Sequence, residues 1–311
     1  MTRTTHSPTA AARPVLARLA GASKRYGQVA ALDRLDLAVH AGEVLAVLGA
    51  NGAGKTTALG LLTGRIGPDA GEAELFGRDP RDPVARRGIG VMLQDGDLPD
   101  TLRVAEHVRL FSSYYPAPRH LDDTLALAGV SDLAGRSYGV LSGGQKRRVQ
   151  FALAICGRPP LLFVDEPTVG LDVEARRGFW EVIRRLRAEG TAIVLTTHYL
   201  EEADALADRI VLMAGGRLLA DDTPARIKAL ADGKRVLARS RLDAASLAAW
   251  PEADGVQARN GRLEVSTRQP EALLRRWLAA DERLSDLEVR PLPLEDAVLA
   301  LTARNALERA A

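Results

Sequence analysis

The run Gly49-Ala50-Asn51-Gly52-Ala53-Gly54-Lys55-Thr56 has the spacing G-x-x-x-x-G-K-T, which is that of a phosphate-binding loop. Its residue types suit one chemistry. Glycines let the backbone curl until its N–H groups converge on phosphate oxygens. A helix opening at Lys55 adds the positive end of its dipole. Lys55 brings a point charge to the terminal phosphates, and Thr56 offers a hydroxyl to a magnesium ion. The apolar run Val44–Leu48 leads into the loop, and helix formers from Thr57 to Leu62 follow it. Strand, glycine loop and helix is the context the motif requires, and the expected nucleotide contacts run from Gly49 to Thr57. Two other readings are a flexible Gly/Ala turn and a dinucleotide fingerprint on Gly52-Ala53-Gly54. The second has no use for a Lys-Thr pair at this point.

Three further stretches carry chemistry. The apolar strand Leu161–Val164 ends in Asp165 and Glu166. Neighbours on a strand point to opposite sides, so two such acids serve different tasks. Asp165 is placed to hold magnesium, directly or through water. Glu166 is placed to polarise a water for attack on the terminal phosphate. The strand Ala192–Thr197 ends at His198, where open sheets bind ligands. Contact with the terminal phosphate is the expected role of His198. In Leu141-Ser142-Gly143-Gly144-Gln145, Ser142 and Gln145 form a capping box that starts a helix. Glycines inside that first turn cost about 1 kcal/mol each relative to alanine. They make sense where something must approach the backbone closely. A bare helix N-terminus with a serine hydroxyl is an anion site. This is therefore a second phosphate-recognition element, without a lysine of its own.

The elements that position these residues follow from periodicity. Val15, Ala17 and Leu19 mark a first strand, Lys24–Gly27 a short loop, and Leu35, Leu37 and Val39 a second strand. Tyr26 then lies at a strand end. It either stacks on adenine or is a half-buried surface tyrosine. Strands are expected at Glu72–Phe76 and Ile89–Leu93, with turns at Asp79-Pro80 and Asp82-Pro83. The second of these strands ends at Gln94, and the residues from Asp95 to Asp100 form a loop. Helical spacing from Thr101 to Tyr115, and again from Leu121 to Ala128, describes a helical insertion over about 95–157. Beyond Asp172 come a helix to Glu189, a helix through Glu201 and Ala205, strands at 210–213 and 217–220, and a helix at 224–231.

Composition bounds the class. The chain has 311 residues, 46% of them hydrophobic, enough for one large domain or two. Its longest apolar runs are far too short to span a bilayer, and no signal-peptide pattern opens it. Met1–Arg13 is a polar, Ala-rich tail expected to be disordered. A net charge of +2 gives no reason to propose nucleic acid as a partner. The single cysteine, Cys156, permits no disulfide within the chain, as suits a reducing cytoplasm. It lies in an apolar segment and is read as a buried, inert thiol.

The set Gly49–Thr56, Gln94, Leu141–Gln145, Asp165-Glu166, Gly170-Leu171-Asp172 and His198 resembles the ATP-binding subunit of an ABC transporter. The resemblance covers about residues 15–231, with its motifs in the family's order. It implies an α/β fold, a P-loop ATPase sheet with a helical insertion subdomain, and ATP and Mg2+ as cofactors. It implies that Tyr26 stacks on adenine and that Gln94 senses magnesium and the attacking water. It implies that Ser142, Gly143, Gly144 and Gln145 close over ATP held by the opposite subunit. Asp172 resembles the residue that contacts the partner across the dimer, and His198 the switch histidine.

The tail is read as a separate module over 233–311. Its pattern β-α-β-β-α-β suggests a small ferredoxin-like α+β domain, closed by an amphipathic helix from Leu294 to Thr302. Pro293-Leu294-Glu295-Asp296 and Leu301-Thr302 there resemble the tail of the drug and antibiotic exporter branch. A spacer domain that only supports dimerisation is the alternative. With no spanning helix expected, the substrate path must be another polypeptide. The reading is an ATPase homodimer on the cytoplasmic face of the membrane that powers export through a membrane permease. The alternatives are an importer ATPase and a soluble ABC protein acting on ribosomes or DNA. Ribosome-acting relatives usually carry two ATPase units, and DNA-acting ones long coiled-coil insertions; neither feature is present.

Overall fold

Small and apolar residues at alternate positions bring the first strands together as a long hairpin. In a computed structural model, which describes residues 13–94, 96, 98–230, 233–299 and 301–302, β1 (Val15–Tyr26) pairs antiparallel with β2 (Val29–His40). The expected loop at Lys24–Gly27 is thereby corrected: Lys24, Arg25 and Tyr26 belong to β1, opposite Leu32, Ala30 and Val29. The reason is Asp69. It takes hydrogen bonds from Lys24 Nζ at 2.7 Å and from the Arg25 amide at 2.8 Å, holding these polar residues in line. Then follow β3 (Val44–Leu48), α1 (Lys55–Leu62) and β4 (Ala70–Leu75). Strand β4 joins the hairpin in a three-stranded sheet of order β2-β1-β4. The turn expected at Asp82-Pro83 is instead a short helix, α2 (Pro83–Arg86). Asp82 accepts from the Val84 amide, and proline suits the first helical position.

The second sheet carries the candidate chemistry. It contains β5 (Ile89–Met92), β6 (Leu161–Asp165), β7 (Ala192–Thr196), β3, β8 (Arg209–Ala214) and β9 (Arg217–Asp222), in that order. The pairs β5–β6, β6–β7 and β7–β3 are parallel. Strands β3, β6 and β7 are buried along their whole length, as continuous apolar runs in a covered parallel sheet must be. Between β5 and β6 lie α3 (Val104–Ser112), α4 (Leu121–Leu127) and α5 (Gly143–Ile155). These helices share one core with the strands. Val104, Val108, Leu125, Tyr138, Val149 and Phe151 cluster with Val164 and Leu195. Cys156 is buried, and desolvation pushes its thiol up. After β6 runs α6 (Val173–Ala188), and after β7 runs α7 (Leu200–Leu206).

The chain divides into two compact units. The first runs to His198 and adds Leu206–Arg209 and Met213–Leu218; the second holds Tyr199–Ala205, Ile210–Leu212 and the residues from Leu219 onward. Within the second, α8 (Pro224–Leu230) precedes β10 (Lys234–Arg239), α9 (Ala244–Ala248), β11 (Gly255–Arg259), β12 (Arg262–Thr267), α10 (Pro270–Ala280) and β13 (Ser285–Pro291). The four strands form an antiparallel sheet of order β11-β12-β10-β13. Val236, Ala238, Val265, Leu273 and Trp277 form its core. Residues 294–299, 301 and 302 are helical. The expected tail over residues 1–12, and Asp95, Asp97, Ala231, Asp232, Ala300 and residues 303–311, lie outside the described residues.

Candidate active site

The phosphate loop leaves β3 and enters α1. Two of its glycines are required by geometry. Gly49 and Gly54 have φ of +157° and +102°, and a Cβ on either would lie 2.5 Å from a carbonyl oxygen, of Met213 and of Ala31 respectively. No side chain caps α1, and no acid lies in its first turn. Its N–H groups are thus left for an anion. Lys55 is buried, and its Nζ donates to the carbonyls of Gly49 at 2.7 Å and Ala50 at 3.2 Å. The ammonium is folded onto the loop that would cradle phosphate, where incoming phosphate oxygens compete for it. Asn51, Gly52, Ala53, Thr56 and Thr57 complete this segment.

The ends of β6 and β7 bring the acids to the loop. Thr56 Oγ1 donates to Asp165 Oδ2 at 3.4 Å. Two hard oxygen donors at that spacing suit a small hard cation whose remaining ligands are phosphate and water oxygens. Asp165 is buried and oriented by the Thr196 hydroxyl, which donates to Oδ1. Glu166 lies just past the strand end, so strand alternation is not what parts the two acids, contrary to the sequence expectation. Its φ of +49° is left-handed, and its carboxylate meets His198 whereas that of Asp165 meets Thr56 and Thr196. The backbone is held there by its N–H, which donates to the Thr196 carbonyl and to Thr196 Oγ1, both at 3.1 Å. Glu166 Oε2 lies 2.5 Å from His198 Nδ1. The acid is buried and the histidine exposed.

The remaining predicted residues take separate positions. Ser142 Oγ accepts from the Gln145 amide at 3.3 Å, and Gln145 Oε1 accepts from the Ser142 amide at 3.0 Å, closing the capping box. Among the described residues nothing requires either glycine of the turn. A Cβ on Gly143 would meet nothing within 4 Å, and one on Gly144 only Leu171 at 3.6 Å. Gln94 is exposed, with its carbonyl accepting from Arg147 at 2.7 Å. Tyr26 closes the β1–β2 hairpin and is 52% exposed. Asp172 caps α6 by accepting from the Ala175 amide at 2.8 Å. Sequence reasoning missed two residues. Thr196 bonds the Asp165 carboxylate and the Glu166 amide, and Arg147 bonds the main chain at Gln94 and at Glu166. A hydroxyl at the end of an otherwise apolar strand was the available signal for Thr196. For Arg147 there was none.

Among the described residues no helix is long and apolar enough to cross a membrane. Residues 32–169 match the ABC transporter family. The chain is 41% identical to the daunorubicin resistance ATP-binding protein DrrA3 of Streptomyces coeruleorubidus, over 70% of this chain and 71% of that one. It is 36% identical to the Nod factor export ATP-binding protein I of Cupriavidus pinatubonensis, over 91% and 89% of the two chains. Among solved structures, an ATP-binding subunit of an ABC transporter superposes with a TM-score of 0.65 at 28% identity, covering 69% of this chain and 92% of that one. A dimeric bacterial ABC transporter cassette, MJ0796, gives a TM-score of 0.61 at 26% identity, over 67% and 98%. A bare helix start behind a glycine loop, carboxylates at adjacent strand ends and these likenesses converge: the chain belongs to the ATP-binding proteins of the ABC transporter family.

Proposed function

We propose that this protein hydrolyses ATP as a homodimer and so drives export through a separate membrane permease. The observation that carries the chemistry is the gathering of Lys55, Thr56, Asp165, Glu166 and His198 at the ends of β3, β6 and β7. The loop from Gly49 to Thr57 holds the phosphates, and Tyr26 offers its exposed ring to adenine. Thr56 and Asp165, together with Gln94, would hold Mg2+, which supplies charge neutralisation on the phosphates when bound. Glu166 takes the proton of the attacking water. His198, at hydrogen-bond distance from that carboxylate, orients it and reaches toward the terminal phosphate.

Dimerisation follows from the signature. Among the described residues nothing requires glycine at 143 or 144, and Lys146 beside them pairs with Asp100. An opposing subunit's ATP is what the uncovered backbone fits, and Asp172 faces the same partner. MJ0796, a relative in fold, is described as a dimer. Export is supported by relatives named for daunorubicin resistance and Nod factor export, so the cargo class is a drug, an antibiotic or a lipid-like molecule. The permease meets the surface between Gln94 and Tyr115, where Leu110 and Tyr114 are exposed, placing the subunit on the cytoplasmic face of the membrane. Residues 15–232 form the ATPase domain and 233–311 an accessory domain.

Glu166→Gln tests the core of this reading. The amide keeps the shape of the side chain but cannot take a proton. ATP should still bind and hold the dimer closed, while turnover falls by about 10²–10⁴-fold. Turnover near the parent rate would remove Glu166 from the role of base.

A further inference from the structure

The helix that begins at the signature turn sends three side chains back onto the segment after β5. Arg147 Nη1 donates to the carbonyls of Leu93 at 2.9 Å and Gln94 at 2.7 Å. Gln150 Nε2 donates to the Gly96 carbonyl at 2.5 Å. Lys146 Nζ lies 3.6 Å from Asp100. Arg147 also reaches the end of β6: its Nη2 donates to the Glu166 carbonyl at 2.6 Å. One planar guanidinium therefore ties α5 to the main chain at two residues assigned to hydrolysis. A lysine could not, because its ammonium lacks the rigid fork.

The Glu166 contact matters because of that residue's backbone. A non-glycine residue stays at φ +49° only where its surroundings over-determine it. Thr196 holds the N–H side. Arg147 holds the carbonyl side. Arg147 also borders a cavity of about 270 Å³ lined by Phe151, Pro167, Leu171 and Phe179. Close packing on that side does not fix the side chain, so its hydrogen bonds do.

We propose that Arg147 is a positioning residue for ATP hydrolysis. It couples the seating of the signature helix α5 to the backbone of Glu166 and Gln94, so the base is aimed only while that helix is in place. This rests on the assignment of Glu166 as base. The bonds of Arg147 go to the main chain at Leu93, Gln94 and Glu166, so its effect is expected on turnover more than on nucleotide affinity.

The test uses the full-length protein with Arg147→Met, which keeps the stem and removes the donors, Arg147→Lys, Glu166→Gln, and the Arg147→Met/Glu166→Gln double variant. MgATP turnover is followed in single-turnover and steady-state assays, alongside nucleotide Kd and melting temperature. Arg147→Met should lower kcat by about 10- to 100-fold with Kd for ATP changed by less than about threefold. Arg147→Lys should fall between it and the parent. The double variant should be no slower than Glu166→Gln alone, because both changes act through one group. An Arg147→Met kcat within twofold of the parent overturns the proposal, as does a double variant that multiplies the two losses. Should Arg147→Met not fold, Arg147→Lys decides: full kcat overturns the proposal, and a tenfold loss at unchanged Kd supports it. Normal turnover by Glu166→Gln overturns the base assignment and this proposal with it. Normal turnover by Arg147→Met beside an inactive Glu166→Gln overturns this proposal alone.

Discussion

Gly90→Ala should impair hydrolysis from a position that touches no nucleotide. Gly90 lies in β5, paired with Leu162 of β6. A Cβ there would sit 1.9 Å from the Ala154 carbonyl oxygen and 2.9 Å from its carbon. Real Cβ contacts stay at 3.0 Å or more, so strand and helix must part by at least 3.0 − 1.9 = 1.1 Å. The obstacle is backbone, so no rotamer change relieves it. Ala154 belongs to α5, the helix whose Arg147 holds the Leu93 and Gln94 carbonyls at 2.9 and 2.7 Å. Adding about 1 Å takes both bonds past useful hydrogen-bond length. Overpacking of this kind costs about 1–3 kcal/mol of stability. A displacement of about 1 Å at a reacting group lowers turnover up to about 100-fold. The assay is kcat and nucleotide Kd on folded protein, with urea unfolding for stability. Gly178→Ala on α6 is the control. Its Cβ would meet nothing within 4 Å, and alanine in a helix interior stabilises by about 0.5–1 kcal/mol. If Gly90→Ala folds and turns over within twofold of the parent, the claim that β5 and α5 must stay in register with the catalytic carboxylate is wrong.

Two further outcomes are expected. Mixing Lys55→Ala subunits with Gly144→Asp subunits should give heterodimers that retain ATP at one site, since one pairing joins an intact Lys55 to an intact signature. The carboxylate introduced by Gly144→Asp would repel the terminal phosphate at short range; retention no better than in either single-variant homodimer would refute signatures acting across the dimer. Trp277 is fully buried and donates from Nε1 to Ser240 Oγ at 3.1 Å. Trp277→Ala should destabilise the C-terminal core by about 3–5 kcal/mol, seen as a lower urea midpoint for Trp250 fluorescence in a Trp180→Phe background, while ATP binding at Gly49–Thr57 persists; an unmoved midpoint would contradict its place in that core.

Where the chemistry is carried by consecutive residues, the sequence alone determined the outcome. The glycines that shape the Gly49–Thr56 loop and the Lys-Thr pair that ends it are neighbours in the chain. The apolar runs that became β3, β6 and β7, and the capping box of Ser142 and Gln145, are likewise local patterns with local causes. Expectations failed where a distant partner overrode a local signal. Lys24–Tyr26 looked like a loop until Asp69, more than forty residues away, drew it into β1. Only the tertiary structure revealed that Thr196 joins the Asp165 carboxylate to the Glu166 amide and that Glu166 is turned into the left-handed region. It alone revealed that Arg147 ties α5 to residues 19 and 53 positions away. The close approach that demands glycine at position 90 is of the same kind. Hydrogen bonds and steric contacts between chain-distant atoms leave no periodicity in the sequence, because they depend on how the strands and helices stack.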